Sequence, residues 1–429
     1  MRTTRRNVIL GSSAAAAALA LPGKGIVRAQ DTATVEWWHI SQNDPGKSAF
    51  QKAADDYMAA NPNVKINITI LENQAFKDKL TTVMQSGDAP DMFQSWGGGV
   101  LYQYAAAGLV RDITADLATD GWGDTINAAA LGLYANEGKN YGVPWAMGIV
   151  GMWYNKAHFA TAGITATPTN WTELLAAVDA LKAADIVPIS VGEGDKWPGH
   201  FWWVYLAIRN GGKAAFDAAY TRAGKFTDEP FVKAGTMLKE LVDKEPFQEG
   251  FLAATYNDAD TLMANGGPAM TLMGQWAPGN QKSLSENGEG LGDDLGFFTF
   301  PMVDGGAGAP EDVLGGCDGF AFGANAPDAA VDFARYLLSK DVETGWASEG
   351  VAVLPTVNGA EEGITDPNLI AVGESLKASQ YMQLYYDQFL PPAVGAVVND
   401  AVQGIFAGTA TPEEVAQMIE DSAASELAQ

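Results

Sequence analysis

Between residues 35 and 95 strand-like and helix-like segments alternate, and this run constrains the fold more than any other feature of the chain. Val35–Ile40 reads as a buried strand. Residues Lys47–Ala60 then set Phe50, Ala53, Ala54, Tyr57 and Met58 on one helical face, and Asn61-Pro62 stops the helix. In Val64–Ile70 the residues Val64, Ile66, Ile68 and Ile70 alternate with polar ones, as a half-buried strand requires. Phe76, Leu80, Val83 and Met84 recur at helical spacing up to Gly87, and Asp91–Ser95 is a third strand. A β-α-β-α-β order predicts a parallel sheet with helices on its faces.

The alternation continues through the chain. Gly148–Tyr154, Val187–Val191, Pro268–Leu272, Gly296–Phe300 and Asp318–Phe322 read as strands. Asn170 with Glu173 resembles a capping box ahead of Leu174, Val178 and Leu181. Gly199–Asn210 and the segment bearing Ala330, Phe333, Ala334 and Leu337 read as helices, as does Pro391–Phe406. A last helix starts near Thr411-Pro412, with proline at the first helical position. About 400 residues of this α/β pattern favour two lobes over one. Open α/β sheets bind ligands at the carboxyl ends of their strands, so two facing lobes place the candidate site in the cleft between them.

The first residues carry a different message. Arg2, Arg5 and Arg6 precede a weakly apolar run from Val8 to Leu21, and Val27 and Ala29 sit at −3 and −1 to a small-residue cut before Gln30. That order predicts a removable export signal over residues 1–29, with the arginine pair pointing to the twin-arginine route. The run of about 14 residues falls short of the roughly 20 a membrane-spanning helix needs. No cysteine stands at the cut, so no lipid anchor is expected. Removing residues 1–29 takes away five of the 26 basic side chains and none of the 52 acidic ones, leaving a net charge of −31. Such a surface repels nucleic acid and anionic membranes. Cys317 is the only cysteine, so no internal disulfide can form, and His39, His158 and His200 lie too far apart in sequence for zinc-ligand spacing. Neither a metal nor a cofactor is expected.

Twelve tryptophans concentrate attention on binding. An indole face suits a sugar ring, whose C–H bonds form an apolar patch while its hydroxyls take hydrogen bonds at the edge. Trp37, Trp38, Trp153, Trp171 and Trp346 follow strand or helix periodicity and read as core. Trp96, Trp197 and Trp276 sit beside Gly, Asp or Lys after strands, as does Trp145 after its own predicted strand end. Polar groups gather at the same places: His39, Ser41 and Gln42 after the first strand; Glu193, Asp195 and Lys196 before Trp197; Asp318 among Gly315, Gly316 and Gly319; and Tyr386-Asp387-Gln388 ahead of Pro391-Pro392. For any one of these, a solvated loop charge or a cap is an equally good reading; their recurrence at strand ends favours a site. The glycines around Asp318 are expected to form a loop that lets backbone N–H groups approach a ligand. There is no Gly-x-Ser-x-Gly elbow, no Walker-type Gly-Lys-Ser/Thr and no dinucleotide fingerprint in a strand–helix setting.

An ordered set of motifs resembles the family 1 extracellular solute-binding proteins of sugar ABC transporters. It comprises Ser86-Gly87-Asp88-Ala89-Pro90-Asp91-Met92-Phe93, Ala107-Gly108-Leu109-Val110, Tyr141-Gly142-Val143-Pro144 and Trp153-Tyr154-Asn155-Lys156. Pro168-Thr169-Asn170-Trp171-Thr172-Glu173-Leu174, Gly274-Gln275-Trp276, Phe300-Pro301, Gly315–Gly319 and Val353-Leu354-Pro355 continue it. The resemblance implies an α/β, two-lobed periplasmic binding protein fold, each lobe a mainly parallel sheet flanked by helices. It implies three crossings, with residues 30–143 and 302–355 in one lobe and 144–301 and 356–429 in the other. It further implies a monomeric, non-enzymatic periplasmic receptor that closes on a mono- or oligosaccharide and hands it to ABC permease subunits after export by the Tat machinery. The positions matching ligand contacts are His39, Ser41, Gln42, Trp96, Gly97, Glu193, Asp195, Lys196, Trp197, Trp276, Gly316, Asp318, Tyr386 and Asp387. Trp197, Trp276 and Tyr386 would stack on rings, and Asp195, Asp318, Asp387, His39 and Gln42 would bond hydroxyls. Glycines at 97–99 replace the charged groups of the maltose-binding branch, so maltodextrin specificity does not carry over. The rival readings are the same fold binding a polyol or glycerophosphodiester, and a secreted glycoside hydrolase, which needs only two carboxylates.

Overall fold

The first strand, Ala33–His39, pairs in parallel with Val64–Ile70 on one side and Met92–Ser95 on the other, as the opening alternation predicts. The computed structural model describes residues 32–427, so the export signal expected over residues 1–29 lies outside the described residues. Helix Gly46–Ala60 buries Ala49, Phe50, Ala53, Ala54 and Tyr57 against this sheet. Helix Asn73–Ser86 starts where the Glu72 carboxylate accepts from the N–H groups of Gln74 and Ala75, and it ends at Gly87 in the left-handed conformation.

Two long strands tie the molecule together. Gly142–Asn155 runs antiparallel to Val313–Phe322 along its first half and antiparallel to Met270–Gly274 and Leu295–Phe298 along its second. The short strand Ile189–Ser190 completes the far edge, parallel to Met270–Gly274. The parallel strands of the opening alternation are thus joined to the rest of the sheet by antiparallel crossing strands.

The hydrophobic cores change hands along these strands. Trp145 and Ala146 pack with Trp37, Phe50 and Phe320, whereas Ile149 and Val150 pack with Trp202, Tyr205 and Leu272. On the partner strand Leu314 belongs to the second core and Phe320 to the first. A third crossing follows at Leu354–Pro355, which pairs with Met147 and Ala146. The strands touch most closely at the switch: a Cβ on Gly315 would lie 2.4 Å from the Gly148 carbonyl oxygen, so a side chain there would prise the crossing apart. This supports placing the lobe boundaries inside the strands, near Met147–Gly148 and Gly315–Gly316.

Residues 302–314 differ from the sequence expectation, because they pack with the second lobe. Arg209 causes this. Its buried guanidinium donates to the carbonyls of Phe300, Pro301, Ala309 and Asp312, and so pins the whole loop to helix Trp197–Tyr220. Four carbonyl acceptors satisfy a charge that burial would otherwise penalise heavily. In the opposite sense Val357 and Ala360 pack with the first core, beyond the expected boundary at 355.

Candidate functional site

A cleft of about 370 Å³ opens between the two cores, at the carboxyl ends of the first-lobe strands. Trp96, Trp145, Trp197, Tyr256 and Trp276 line it, together with Asp44, Glu72, Asp195 and Asp318; no lysine or arginine is among its lining residues.

The second lobe builds an aromatic wall. Trp197, at the start of helix Trp197–Tyr220, lies 5.1 Å from the Tyr256 ring and 6.4 Å from Trp276, centroid to centroid. Trp276 folds over Gly274, where a Cβ would meet its ring at 2.1 Å. Tyr256 opens helix Tyr256–Ala264, whose start is fixed by a capping box between Thr255 and Asp258. Behind this wall Asp260 is buried and accepts from Tyr256 Oη (2.9 Å), Asn280 Nδ2 (2.5 Å) and Gln281 Nε2 (2.9 Å). Burial pushes its carboxyl up to about 6, against the pull of those three donors. Asp195 faces the cleft, with Oδ2 accepting from the Tyr256 N–H at 2.6 Å; burial raises its carboxyl as well.

The first lobe sets polar groups beside Trp96 and Trp145. Asp318 accepts from Gln94 Nε2 at 2.8 Å, and burial pushes its carboxyl up to about 7. It stands at a β-bulge between Asp318 and Gly319, the irregularity that strands use to re-aim a side chain. The loop after the first strand reaches across the cleft mouth. Asn43 Nδ2 donates to Asn280 Oδ1 (2.5 Å) and Asn257 Oδ1 (3.2 Å), and the Asp44 N–H donates to Ser283 Oγ. Asn257 Nδ2 returns a longer bond, 3.4 Å, to Gln42 Oε1. Trp145 and Trp197 are at most 8% exposed, and their indole N–H groups have no protein partner. A ligand in this cleft meets aromatic faces and carboxylates that can accept its hydroxyl protons.

A second chamber of about 170 Å³ lies behind Gln94 and Trp96, which line both spaces. Lys77 Nζ there donates to Asp387 Oδ2 at 2.8 Å and lies 5.2 Å from the centre of the Trp96 ring. Burial alone would raise the Asp387 carboxyl, but the Lys77 ammonium, the nearby His200 and the hydrogen bonds it accepts together hold the group at about 2. His200 Nε2 sits 4.0 Å from the other oxygen, and burial lowers its own pKa.

The sequence-chosen residues therefore separate into three groups. Ser41, Gln42, Trp96, Asp195, Trp197, Trp276 and Asp318 line the main cleft. Gly97 and Asp387 line the second chamber, and Gly97 is required by its backbone: φ is +67° and a Cβ would meet the Leu133 oxygen at 2.4 Å. The remaining five line neither space. His39 is buried against Trp37 and Phe50, with Nδ1 accepting from the Ser41 N–H, and burial lowers its pKa to about 3. Glu193 is buried beneath the start of helix Trp197–Tyr220, pushed well above the usual carboxylate range by desolvation. Lys196 turns outward to Asp400 at 2.6 Å. Gly316 makes room for the Tyr385 ring, and Tyr386 packs among Trp203, Phe216 and Phe226. The expected glycine loop around Asp318 is strand, its glycines set by close packing rather than by ligand approach.

Trp145, Tyr256, Asn43, Asn257, Asn280 and Gln94 were not among the residues chosen for the site. The Thr255-x-x-Asp258 box was a visible helix-start signal that would have placed Tyr256 and Asn257 at an element end. Gln94 and Asn43 carry no such local mark.

Comparison with known proteins identifies the family. The chain is 27% identical to a probable sugar-binding periplasmic protein of Mesorhizobium japonicum over 62% of each chain, so the match spans less than two thirds of that relative. It is 26% identical to a diacetylchitobiose-binding protein of Streptomyces coelicolor over 74% of this chain and 72% of that one. A solved structure of a chitin oligosaccharide binding protein superposes with a TM-score of 0.85 at 25% identity, covering 93% of this chain and all of the other. The sequence model of the bacterial extracellular solute-binding proteins matches residues 41–344, and the chain belongs to that family.

Proposed function

We propose that this chain is the substrate-binding subunit of an ABC importer, capturing a neutral oligosaccharide by lobe closure and delivering it to the membrane permease. The observation that carries the reading is the cleft itself: five aromatic side chains and four carboxylates with no lysine or arginine in the lining. Aromatic faces take the C–H patches of pyranose rings, and carboxylates take the hydroxyls. An anionic ligand such as a glycerophosphodiester would face four acids with no cation to answer it. Relatives named for sugar and chito-oligosaccharide binding support the sugar class.

Closure joins the walls through Asn43, Asn257 and Asn280, and the closed form is what the permease would read. A ligand drives this only by its differential affinity for the closed state. The receptor is proposed to work as a monomer, without catalysis, in the periplasm after twin-arginine export; Arg5 and Arg6 carry that last reading. A thermal-shift screen of neutral, acidic and phosphorylated saccharides tests it. A neutral oligosaccharide at 100 times its Kd should add about 2.7 kcal/mol of stability. Stabilisation by the phosphorylated or acidic members alone, or turnover of a chromogenic glycoside, would overturn the reading.

A further inference from the structure

We infer that Asp260 is a positioning residue for ligand capture: it fixes which end of the Asn280 amide faces the opposite lobe, and so the direction of the hydrogen-bond chain that closes the cleft mouth. The inference rests on the sugar-binding reading and adds to it a control residue that lies outside the cleft lining.

Three observations carry it. The first is the place of the carboxylate. Asp260 is 2% exposed, yet two of its three donors, Tyr256 and Asn280, line the cleft. The third, Gln281, is itself buried. The second observation is polarity. The oxygen and nitrogen of an amide are close in shape, so its partners decide which end faces where. An ionised carboxylate only accepts, and Asp260 therefore takes the Asn280 NH2 group, which lies 3.0 Å from Tyr256 Oη as well. Asn280 Oδ1 is left facing the first lobe, where Asn43 Nδ2 donates to it at 2.5 Å. The third is how far this direction travels. Asn43 Nδ2 also donates to Asn257 Oδ1, and Asn257 in turn points its NH2 group at Gln42 Oε1. Four amides from two lobes thus share a direction that starts at one buried carboxylate.

An asparagine at 260 would bring an NH2 group against incoming donors. Were Asn280 to turn over and accept from it, two NH2 groups would oppose each other across the mouth. Protonating Asp260 likewise replaces an acceptor with a donor, and burial sets that step at about 6. The ionised form, present above that value, supports the chain, so affinity should be lost as pH falls through it. Helix Tyr256–Ala264 packs on helix Ala277–Leu284, strand Ile189–Ser190 and the turn Glu193–Asp195. Their charged or titratable groups are Lys282, Glu193 and Asp195, the last bonded to the Tyr256 N–H, while Asp258 lies on the helix itself. Across the cleft stand Asp44, Glu72 and Asp318. Among the described residues no cation pairs with Asp260.

Titration calorimetry on the mature protein tests this, with the neutral oligosaccharide that stabilises it most in the thermal-shift panel. Asp260→Asn should weaken binding about tenfold at pH 8, the cost of one charge-assisted bond, and about threefold or less at pH 5, where the wild-type carboxyl is itself protonated. Asp195, Asp318 and the other acids are common to both proteins, so the ratio of the two Kd values isolates Asp260. Asn43→Ala supplies a second measurement that leaves Asp260 in place. Its cost of about fivefold at pH 8 should fall to about twofold or less at pH 5, and to the same level at pH 8 when combined with Asp260→Asn. An Asn43→Ala cost equal at the two pH values would overturn the inference, whether or not Asp260→Asn folds. A wild-type to Asp260→Asn ratio equal at the two pH values would make Asp260 a support of the fold alone and would also overturn it. Absence of any sugar binding by the wild type would overturn the sugar-binding reading, and the inference with it.

Discussion

The two walls of the cleft are built on different physical terms. The second-lobe wall is a packed aromatic surface, Trp197, Tyr256 and Trp276, stiffened from behind by Asp260 and its three donors. The first-lobe wall sets Trp96 and Trp145 among polar groups that engage through few contacts: Gln94 to Asp318, and Asn43 across the mouth to Asn280 and Asn257. An aromatic face attracts a ring without demanding one orientation, whereas hydrogen bonds demand direction. The difference assigns affinity to the second lobe, and orientation and closure to the first.

If that division holds, the largest single loss comes from the aromatic wall. Trp276→Ala should weaken binding by about ten- to a hundredfold, the cost usual for a buried aromatic anchor, while far-ultraviolet circular dichroism stays native. Calorimetric affinity equal to wild type would break the comparison at its stronger end. Trp197→Ala is a poorer probe, because Trp197 is also part of the second core and its loss should lower thermal stability too.

Asp318 sharpens the other side. Its carboxyl rises from 3.8 to about 7 on folding, because burial disfavours the charge. The folded state therefore holds the proton more tightly than the unfolded chain between these values, and wild-type stability falls as pH climbs from about 4 to about 7. The Asp318→Asn variant has no such proton to lose. Its stability relative to wild type should be greater at pH 8 than at pH 5, by about 1–3 kcal/mol after allowing for partial solvent access. Denaturant melts at the two pH values measure this; a difference independent of pH would show that the polar wall holds Asp318 ionised throughout.

The sequence made the architecture legible because strands and helices announce themselves locally. The alternation of Val64, Ile66, Ile68 and Ile70 predicts a strand whose observed bounds are the same, and the last helix starts at Pro412, as Thr411-Pro412 implies. The site was legible only where a side chain's role depends on its own neighbours. Trp96, Trp197 and Trp276 follow element ends and do line the cleft. His39 and Tyr386 lie in equally plausible segments yet are turned inward, because strand parity and packing partners far away in sequence decide which face a residue shows. Trp145 and Gln94 both sit within strands, where an alternating pattern cannot say which end of the sheet meets the second lobe. The packing of residues 302–314 against the second core is hidden for a similar reason, since nothing in that segment reveals Arg209.

Smaller effects separate contacts that span the cleft from those beside it. Asn43→Ala removes an amide that bridges the mouth, and a net hydrogen bond worth about 1 kcal/mol predicts roughly fivefold weaker binding. Asn280→Ala also takes a donor from the buried Asp260 and should cost more, and the double variant should lose less than the sum of the two, since both single changes delete the Asn43–Asn280 bond. Lys196→Met is the matching control. Lys196 neighbours Asp195 and Trp197 in sequence, but its ammonium pairs with Asp400 outside the cleft, with 41% and 57% of the two side chains exposed. Exposed pairs of this kind contribute about 0–1 kcal/mol to stability and are screened by salt. Affinity should therefore stay within about twofold of wild type at any ionic strength, since changes below that correspond to only about 0.4 kcal/mol. A salt-dependent loss of affinity in this variant would mean that Lys196 reaches the ligand after all. The second lobe would then offer the ligand a cation beside Asp195, and the division between the two walls would fail.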